Sequence, residues 1–262
     1  MIAVVRTSKP NHLMPPRVDR WTSILCNSRA QYYKDLGAFY RLHLSSNPIS
    51  KPKRPHADNN HYGHEQVRST LREMFGPKCA YCEGDVSALS PQHVEHYRPA
   101  SRYPALAYEW ENLLLACPHC NSTYKSDHFP VSPTGNTPRE FHRTPCARTG
   151  SGELPLLLNP CQDNPEIHLS FKDGFVIALS DPGRRTRRIC RLNRDELVKS
   201  RRRHLTLIRF AIEKYLLAKI ELNTTETVRI AEILRDASDN YAPYAGMVRT
   251  ELLSEGINWM TL

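Results

Sequence analysis

Two cysteine pairs, Cys79/Cys82 and Cys117/Cys120, each in Cys-x-x-Cys spacing, bracket a Glu-His doublet at residues 95 and 96. Four thiolates from two tight turns fill the tetrahedron of a structural zinc ion. In a reducing compartment such pairs are metal ligands rather than disulfides. The other four of the eight cysteines, Cys26, Cys146, Cys161 and Cys190, stand alone and receive no role. Residues 83–116 separate the pairs, more than the roughly 15 to 20 of a simple ribbon, so something is inserted between the two halves. Whether the Glu-His doublet in that insert decorates a loop or forms half of a catalytic site depends on what stands around it.

The elements that must position these groups follow from periodicity. Short apolar runs, Val94 and Tyr97 around the doublet and Leu113–Leu115 before the second pair, predict two strands of a hairpin, followed by a short helix starting near Asn121. Zinc would clamp the hairpin's base to the helix start, giving a ββα unit closed by metal. Neighbours on a regular strand point to opposite faces, so Glu95 and His96 converge only if the strand ends there; Arg98-Pro99 fits that ending. Upstream, apolar residues from Trp21 to Leu44 follow a helical period, a proline-rich linker comes next, and a helix is expected over 64–75, ending at Gly76-Pro77. Downstream, 131–154 reads as a long loop. HLSF-KDG-FVIAL reads as a β-hairpin, and helices are expected from Leu205 past Ile220, over 226–237 and over 243–255, with Gly256 as a C-cap.

The order Cys-x-x-Cys, Glu-His, Asn-Leu, Cys-x-x-Cys-Asn, Lys resembles the HNH endonuclease motif in its zinc-stabilised ββα-metal form. The resemblance implies a general base at His96, a catalytic divalent ion bound by Glu95 and Asn121, and a loop-bracing asparagine at Asn112. Most members carry Asp where this chain has Glu95. The chemistry fits these residue types: an imidazole can deprotonate water near neutral pH, and oxygen ligands suit Mg²⁺ or Mn²⁺, which neutralises charge on a phosphodiester. Lys125, one helical turn beyond Asn121, and Arg98 are expected to meet substrate phosphate. His93, His119, Asp127 and His128 lie nearby without an assigned role.

A narrower likeness rests on "YCE", "VEHYRPASRYPALAYEWENLLLACPHCNSTYKSDHFP" and "LLLNPCQDNPEIHLSF" with "DGFVI", over roughly residues 64–200. These resemble the HNH nuclease subunit of Septu-type anti-phage systems, including those attached to retrons. That resemblance implies a toxic effector restrained by an ABC-like ATPase subunit and, in retron versions, by a reverse transcriptase with its RNA-DNA hybrid. DNA and structured RNA such as tRNA both remain open as substrate. Two alternatives stand beside it: an inactive zinc-stabilised nucleic-acid-binding or adaptor protein, and an HNH nuclease of restriction or mobile-element type.

Composition is compatible with each. A formal charge of +9 over 262 residues favours a polyanionic partner, and eleven Lys or Arg fall between Arg184 and Arg209. No stretch approaches a membrane span and the N-terminus has no signal-peptide core, so a cytoplasmic protein is expected. The expected fold is α+β: an N-terminal helical segment and linker (1–75), the zinc-bound ββα core (76–130), a loop and β-hairpin extension (131–195) and a C-terminal helical segment (196–262).

Overall fold

The computed structural model describes residues 1–42, 50–86, 92–132 and 153–262; most of the expected loop over 131–154 lies outside them. Helix α1 spans Arg17–Leu42, beginning a turn before the apolar period does. Asp19 in its first turn complements the helix dipole there. A single turn, α2 (Asn59–Tyr62), is capped by the Asp58 carboxylate, which accepts from Asn60 N at 2.9 Å. Helix α3 (Glu65–Phe75) buries Val67, Leu71, Met74 and Phe75 on one face. It stops at Gly76, whose φ of +64° suits glycine and whose Cα lies so close to Tyr241 that a Cβ would meet it at 2.9 Å.

The central hairpin pairs β1 (His93–His96) with β2 (Leu113–Ala116), antiparallel, with Glu95 opposite Leu114 and His96 opposite Leu113. All of β2 is buried, which is why its sequence is a continuous apolar run rather than an alternating one. The helix after the second cysteine pair covers His119–Lys125 and is π-helical. It starts two residues ahead of the expected Asn121, and its wider winding is the kind that clusters at functional sites. The second hairpin, β3 (Leu169–Lys172) and β4 (Phe175–Ala178), turns through Asp173 and Gly174, both at positive φ as a tight right-twisted hairpin requires.

Four helices complete the chain: α4 (Asp181–Ile189), α5 (Asp195–Ile220), α6 (Thr224–Ser238) and α7 (Ala245–Ser254). The arginine-rich stretch thus divides between two helices rather than leading into one. One buried cluster runs from Leu13 and Val18 through Phe75, Trp110 and Leu113–Leu115 to Leu205 and Met247, so the α1 segment and the start of α5 share a core with the central hairpin. A second cluster, including Ile208, Ile212, Leu234 and Leu252, holds α5, α6 and α7 together. Among the described residues no helix is long and apolar enough to cross a membrane.

Candidate active site

The four cysteines expected to bind zinc come together: their sulfurs all lie within 4.8 Å of one another and are buried. Cys82 and Cys117 are 4.0 Å apart, against about 3.8 Å for a tetrahedron of 2.3 Å Zn–S bonds. Backbone geometry builds the knuckles. Cys79 N donates to Gly84 O at 3.0 Å, Glu83 takes φ +58° to close the turn, and Cys120 N–H points at Cys117 Sγ at 3.4 Å. Ala80 N donates to Leu115 O at 2.8 Å, tying the first knuckle to β2. From α5, Arg201 donates to Cys82 O at 3.3 Å, and Arg194 at its N-terminus approaches Cys120 Sγ at 3.8 Å. This buried donor set of soft sulfurs can hold a zinc ion.

Farther along β1 the strand ends at His96, and Glu95, His96 and Asn121 all line a cleft of about 350 Å³. The His96 Nε2 lies 2.8 Å from the Ala107 carbonyl oxygen. A carbonyl only accepts, so Nε2 carries the proton and Nδ1 keeps its lone pair. Burial lowers the His96 pKa to about 4, with the Lys125 ammonium adding to the shift against the Ala107 hydrogen bond. The imidazole is therefore neutral at physiological pH, the form a base needs. The Tyr62 ring stands edge-on to it at 4.5 Å.

Asn112 sets up this arrangement without lining the cleft. Its amide Nδ2 donates to Arg98 O and Leu106 O, both at 3.0 Å, and its Oδ1 accepts from Arg98 N at 2.7 Å. The start and the middle of the loop between the strands are tied to Asn112 this way, and that loop delivers the Ala107 carbonyl that orients His96. Asn112 thus ties Arg98 and Leu106 to the start of β2.

Glu95 is buried, and burial raises its pKa against the opposing pull of Lys125. Lys125 Nζ sits 2.5 Å from Glu95 Oε1 and donates to the His96 carbonyl at 2.8 Å. Tyr81, its own pKa pushed up by burial, offers its hydroxyl to the same carboxylate at 3.5 Å.

Two expectations need correcting here. Lys125 has a fully buried side chain and serves as the internal counterion of Glu95, so it does not present its charge to a substrate phosphate. Arg98 is paired with Glu153 and stacks over Phe129 and Tyr103 at 4.8 and 5.2 Å, outside the cleft. In both cases a buried carboxylate claims the cation first.

Other residues join the site without having been singled out. Arg54 and His56, from the proline-rich linker, and Tyr62 from α2 line the cleft opposite β1. The linker is held there by Arg29, which donates to Ser101 O at 2.6 Å and Pro55 O at 3.3 Å, and by Tyr108, whose hydroxyl accepts from Asp58 N at 2.9 Å. Nothing periodic marks that segment; its cationic and aromatic residues are the signal. Asp127 also lines the cleft, and its charge adds to the rise of the Glu95 pKa. Asn121 lies at the mouth, its Nδ2 3.5 Å from Val94 O.

Residues 79–127 match the family model described as HNH endonuclease. The chain carries an HNH endonuclease domain. The chain is 36% identical over 156 residues to Septu protein PtuB of Bacillus mycoides (strain KBAB4), covering 53% of this chain and 51% of that protein. It is 38% identical over 85 residues to Septu protein PtuB of Bacillus thuringiensis, covering 30% and 33% respectively. It is also 30% identical over 146 residues to Septu protein PtuA of Bacillus mycoides (strain KBAB4), covering 50% of this chain and 20% of that protein. The chain therefore spans about half the length, or less, of the curated relatives it matches. The architecture is the expected α+β one, with helices around a small HNH hairpin and a cysteine cluster able to bind zinc.

Proposed function

We propose that this chain is a divalent-ion-dependent HNH endonuclease that hydrolyses phosphodiester bonds in DNA or structured RNA, acting as the effector of a Septu-type anti-phage system. The observation that carries the reading is His96: a neutral imidazole with Nε2–H committed to Ala107 O and, among the described residues, Nδ1 without a partner, in a cleft at the far end of the hairpin from a four-cysteine cluster. Nδ1 takes the proton of the attacking water, and the Ala107 carbonyl steadies the imidazolium that results. Glu95 and Asn121 would hold a Mg²⁺ or Mn²⁺ ion, with Asp127 as a further oxygen donor in the same cleft. Such an ion supplies charge neutralisation at the phosphate and leaving oxygen. The Lys125 ammonium on Glu95 competes with a cation for that carboxylate, which weakens the site for any ion until substrate phosphate adds its own oxygens.

Similarity to proteins named for two Septu components supports placing the chain in that system. The partner in this reading is an ABC-like ATPase subunit, joined in retron-linked versions by a reverse transcriptase with its RNA-DNA hybrid, and the setting is cytoplasmic. A second reading, a zinc-stabilised binding module that does not cut, is favoured by the Glu95–Lys125 pair alone.

Plasmid DNA and bulk tRNA incubated side by side with Mg²⁺ or Mn²⁺, using wild type and His96→Ala with and without co-expressed operon partners, separate the two. Cutting that needs both the ion and His96, falling by about 10²–10⁴ in the variant, is expected. Zinc-loaded protein that cuts neither substrate in any of these combinations would give the lead to the binding module.

A further inference from the structure

The arginines between Arg184 and Arg209 do not form one surface. Arg201 is buried against the first zinc knuckle, and Arg209 is paired with Asp173 and Glu251 at 2.9 and 2.5 Å. The first six differ. Arg184, Arg185, Arg187, Arg188, Arg191 and Arg194 line an open cleft of about 1000 Å³, together with Tyr124. Three carboxylates face the same space, Asp181, Asp195 and Glu196, leaving six positive charges against three negative ones. Asp181 is within ion-pair reach of Arg184 and Arg185, at 3.4 and 3.8 Å. Among the described residues, no carboxylate lies within 4.0 Å of Arg187, Arg188, Arg191 or Arg194.

One wall of the cleft is packed against the rest of the fold. The inner face of α4 packs on the second hairpin and its neighbours. Gly183 comes so close that a Cβ would meet His168 O at 2.2 Å, Thr186 Oγ1 accepts from Leu158 N at 2.9 Å, and Arg187 donates to Val176 O at 3.5 Å. Arg184 and Arg188, one turn apart on the outer face, and Arg191 just past the helix end are exposed in a row. Arg191 and Arg194 stand over the Tyr124 ring at 5.4 and 5.7 Å. Tyr124 belongs to the helix His119–Lys125, which also presents Asn121 and Ser122 to the catalytic cleft. One two-turn helix is thus the wall between the two clefts.

We propose that the arginine cleft binds the sugar-phosphate backbone of nucleic acid to one side of the scissile phosphate, the strand crossing the helix His119–Lys125 between the two sites. The proposal rests on the nuclease reading for where the scissile phosphate lies. A row of exposed guanidiniums, with no carboxylate within 4.0 Å of Arg188 or Arg191 among the described residues, matches successive phosphates, each of which accepts bidentate hydrogen bonds. A concave cleft with an aromatic floor suits a polynucleotide better than the flat face of an acidic protein.

The test is salt-dependent binding of a labelled duplex and of a labelled single strand to the full chain carrying His96→Ala, so that nothing is cut during titration. The same chain is then compared after adding Arg184→Gln, Arg188→Gln and Arg191→Asn, the asparagine tolerating the φ of +42° at Arg191. The slope of log K against log salt is expected to fall by about 2.7 for a duplex, or about 2.1 for a single strand, from about 0.9 or 0.7 per lost contact. Lysines at the same three positions should preserve it. If the triple variant loses zinc, Arg184→Gln with Arg188→Gln carries the same test at about 1.8 for a duplex. An unchanged slope in a folded variant overturns the proposal and leaves those arginines to an acidic protein surface; if the wild type, with His96 in place, cuts, the nuclease reading stands. A fall of the stated size, beside a wild type that cuts with neither Mg²⁺ nor Mn²⁺, keeps the arginine cleft and removes the nuclease. A parent chain that binds no nucleic acid at low salt overturns both.

Discussion

At one end of the central hairpin four cysteine sulfurs are buried and gathered on one another, with the Cys120 N–H, the Cys190 carbonyl and the Arg194 guanidinium close by. At the other end Glu95, His96 and Asn121 line an open cleft, and each has bonding capacity left over. The first cluster is closed: its ligands suffice for one ion, and its worth is measured in stability. The second is incomplete by design. His96 keeps one nitrogen free, and Glu95 is held by a lysine rather than by a full ligand shell. Structural and catalytic metal sites are told apart by this leftover valence more than by residue type.

The largest effect should come from breaking the closed site. Cys120→Ser leaves a weaker ligand in a buried cluster that ties β2, the π-helix and α5 together. Zinc binding free energy on the order of 10 kcal/mol is folding free energy in such a unit. The variant should purify with little zinc and lose its cooperative melt, as read by metal analysis and calorimetry. A zinc-free protein melting like wild type would show that the apolar core around Leu113–Leu115 carries the fold alone.

Breaking the internal counterion of the open site should cost less. Lys125→Met leaves the buried Glu95 carboxylate without its partner at 2.5 Å, and such losses run to about 3–5 kcal/mol. Urea unfolding should register a destabilisation of that size, and adding Glu95→Gln should recover most of it. If Lys125→Met is neutral, Glu95 is already paired with something else, and a bound cation in the cleft becomes the natural candidate. The contrast with Cys120→Ser then separates a ligand set that makes the fold from a pair that only settles a charge.

Much of this difference is written in the sequence. Cysteine spacing is a local signal, so the closed site is legible from four positions, and the buried run Leu113–Leu115 announces β2. Asn112 stands between the doublet and the second cysteine pair, where its hydrogen bonds reach Arg98 and Leu106. The competition for charge is not legible. Lys125 and Arg98 have the residue type and position of phosphate ligands, yet Glu95 and Glu153 capture them inside the fold. A sequence does not show which carboxylate a long side chain reaches. The far wall of the cleft escapes for a related reason: Arg54 and His56 sit in a segment without periodicity, held by a hydrogen bond from Arg29 to Pro55 O and one from Asp58 N to the Tyr108 hydroxyl, which no pattern encodes.

The smallest effect is the sharpest test of the open site, because it asks about one proton. An ordinary histidine base would halve activity near pH 6.5 on the acid side; burial has moved His96 to about 4. Cleavage measured as kcat/KM should therefore stay flat from about pH 8 down to about pH 5. Stability follows the same group. The unfolded chain takes up this proton below about 6.5 and the folded one only below about 4, so stability attributable to His96 is lost as pH falls between those values. Glu95, raised by burial, contributes in the opposite sense, losing stability as pH rises through its folded value. The difference between wild type and His96→Asn isolates the histidine, and it also cancels acid release of zinc from the thiolates, which both proteins share. A half-loss of activity near 6.5 would mean that burial does not hold His96 in the neutral form, and the distinction between a closed site and a poised one would lose its central residue.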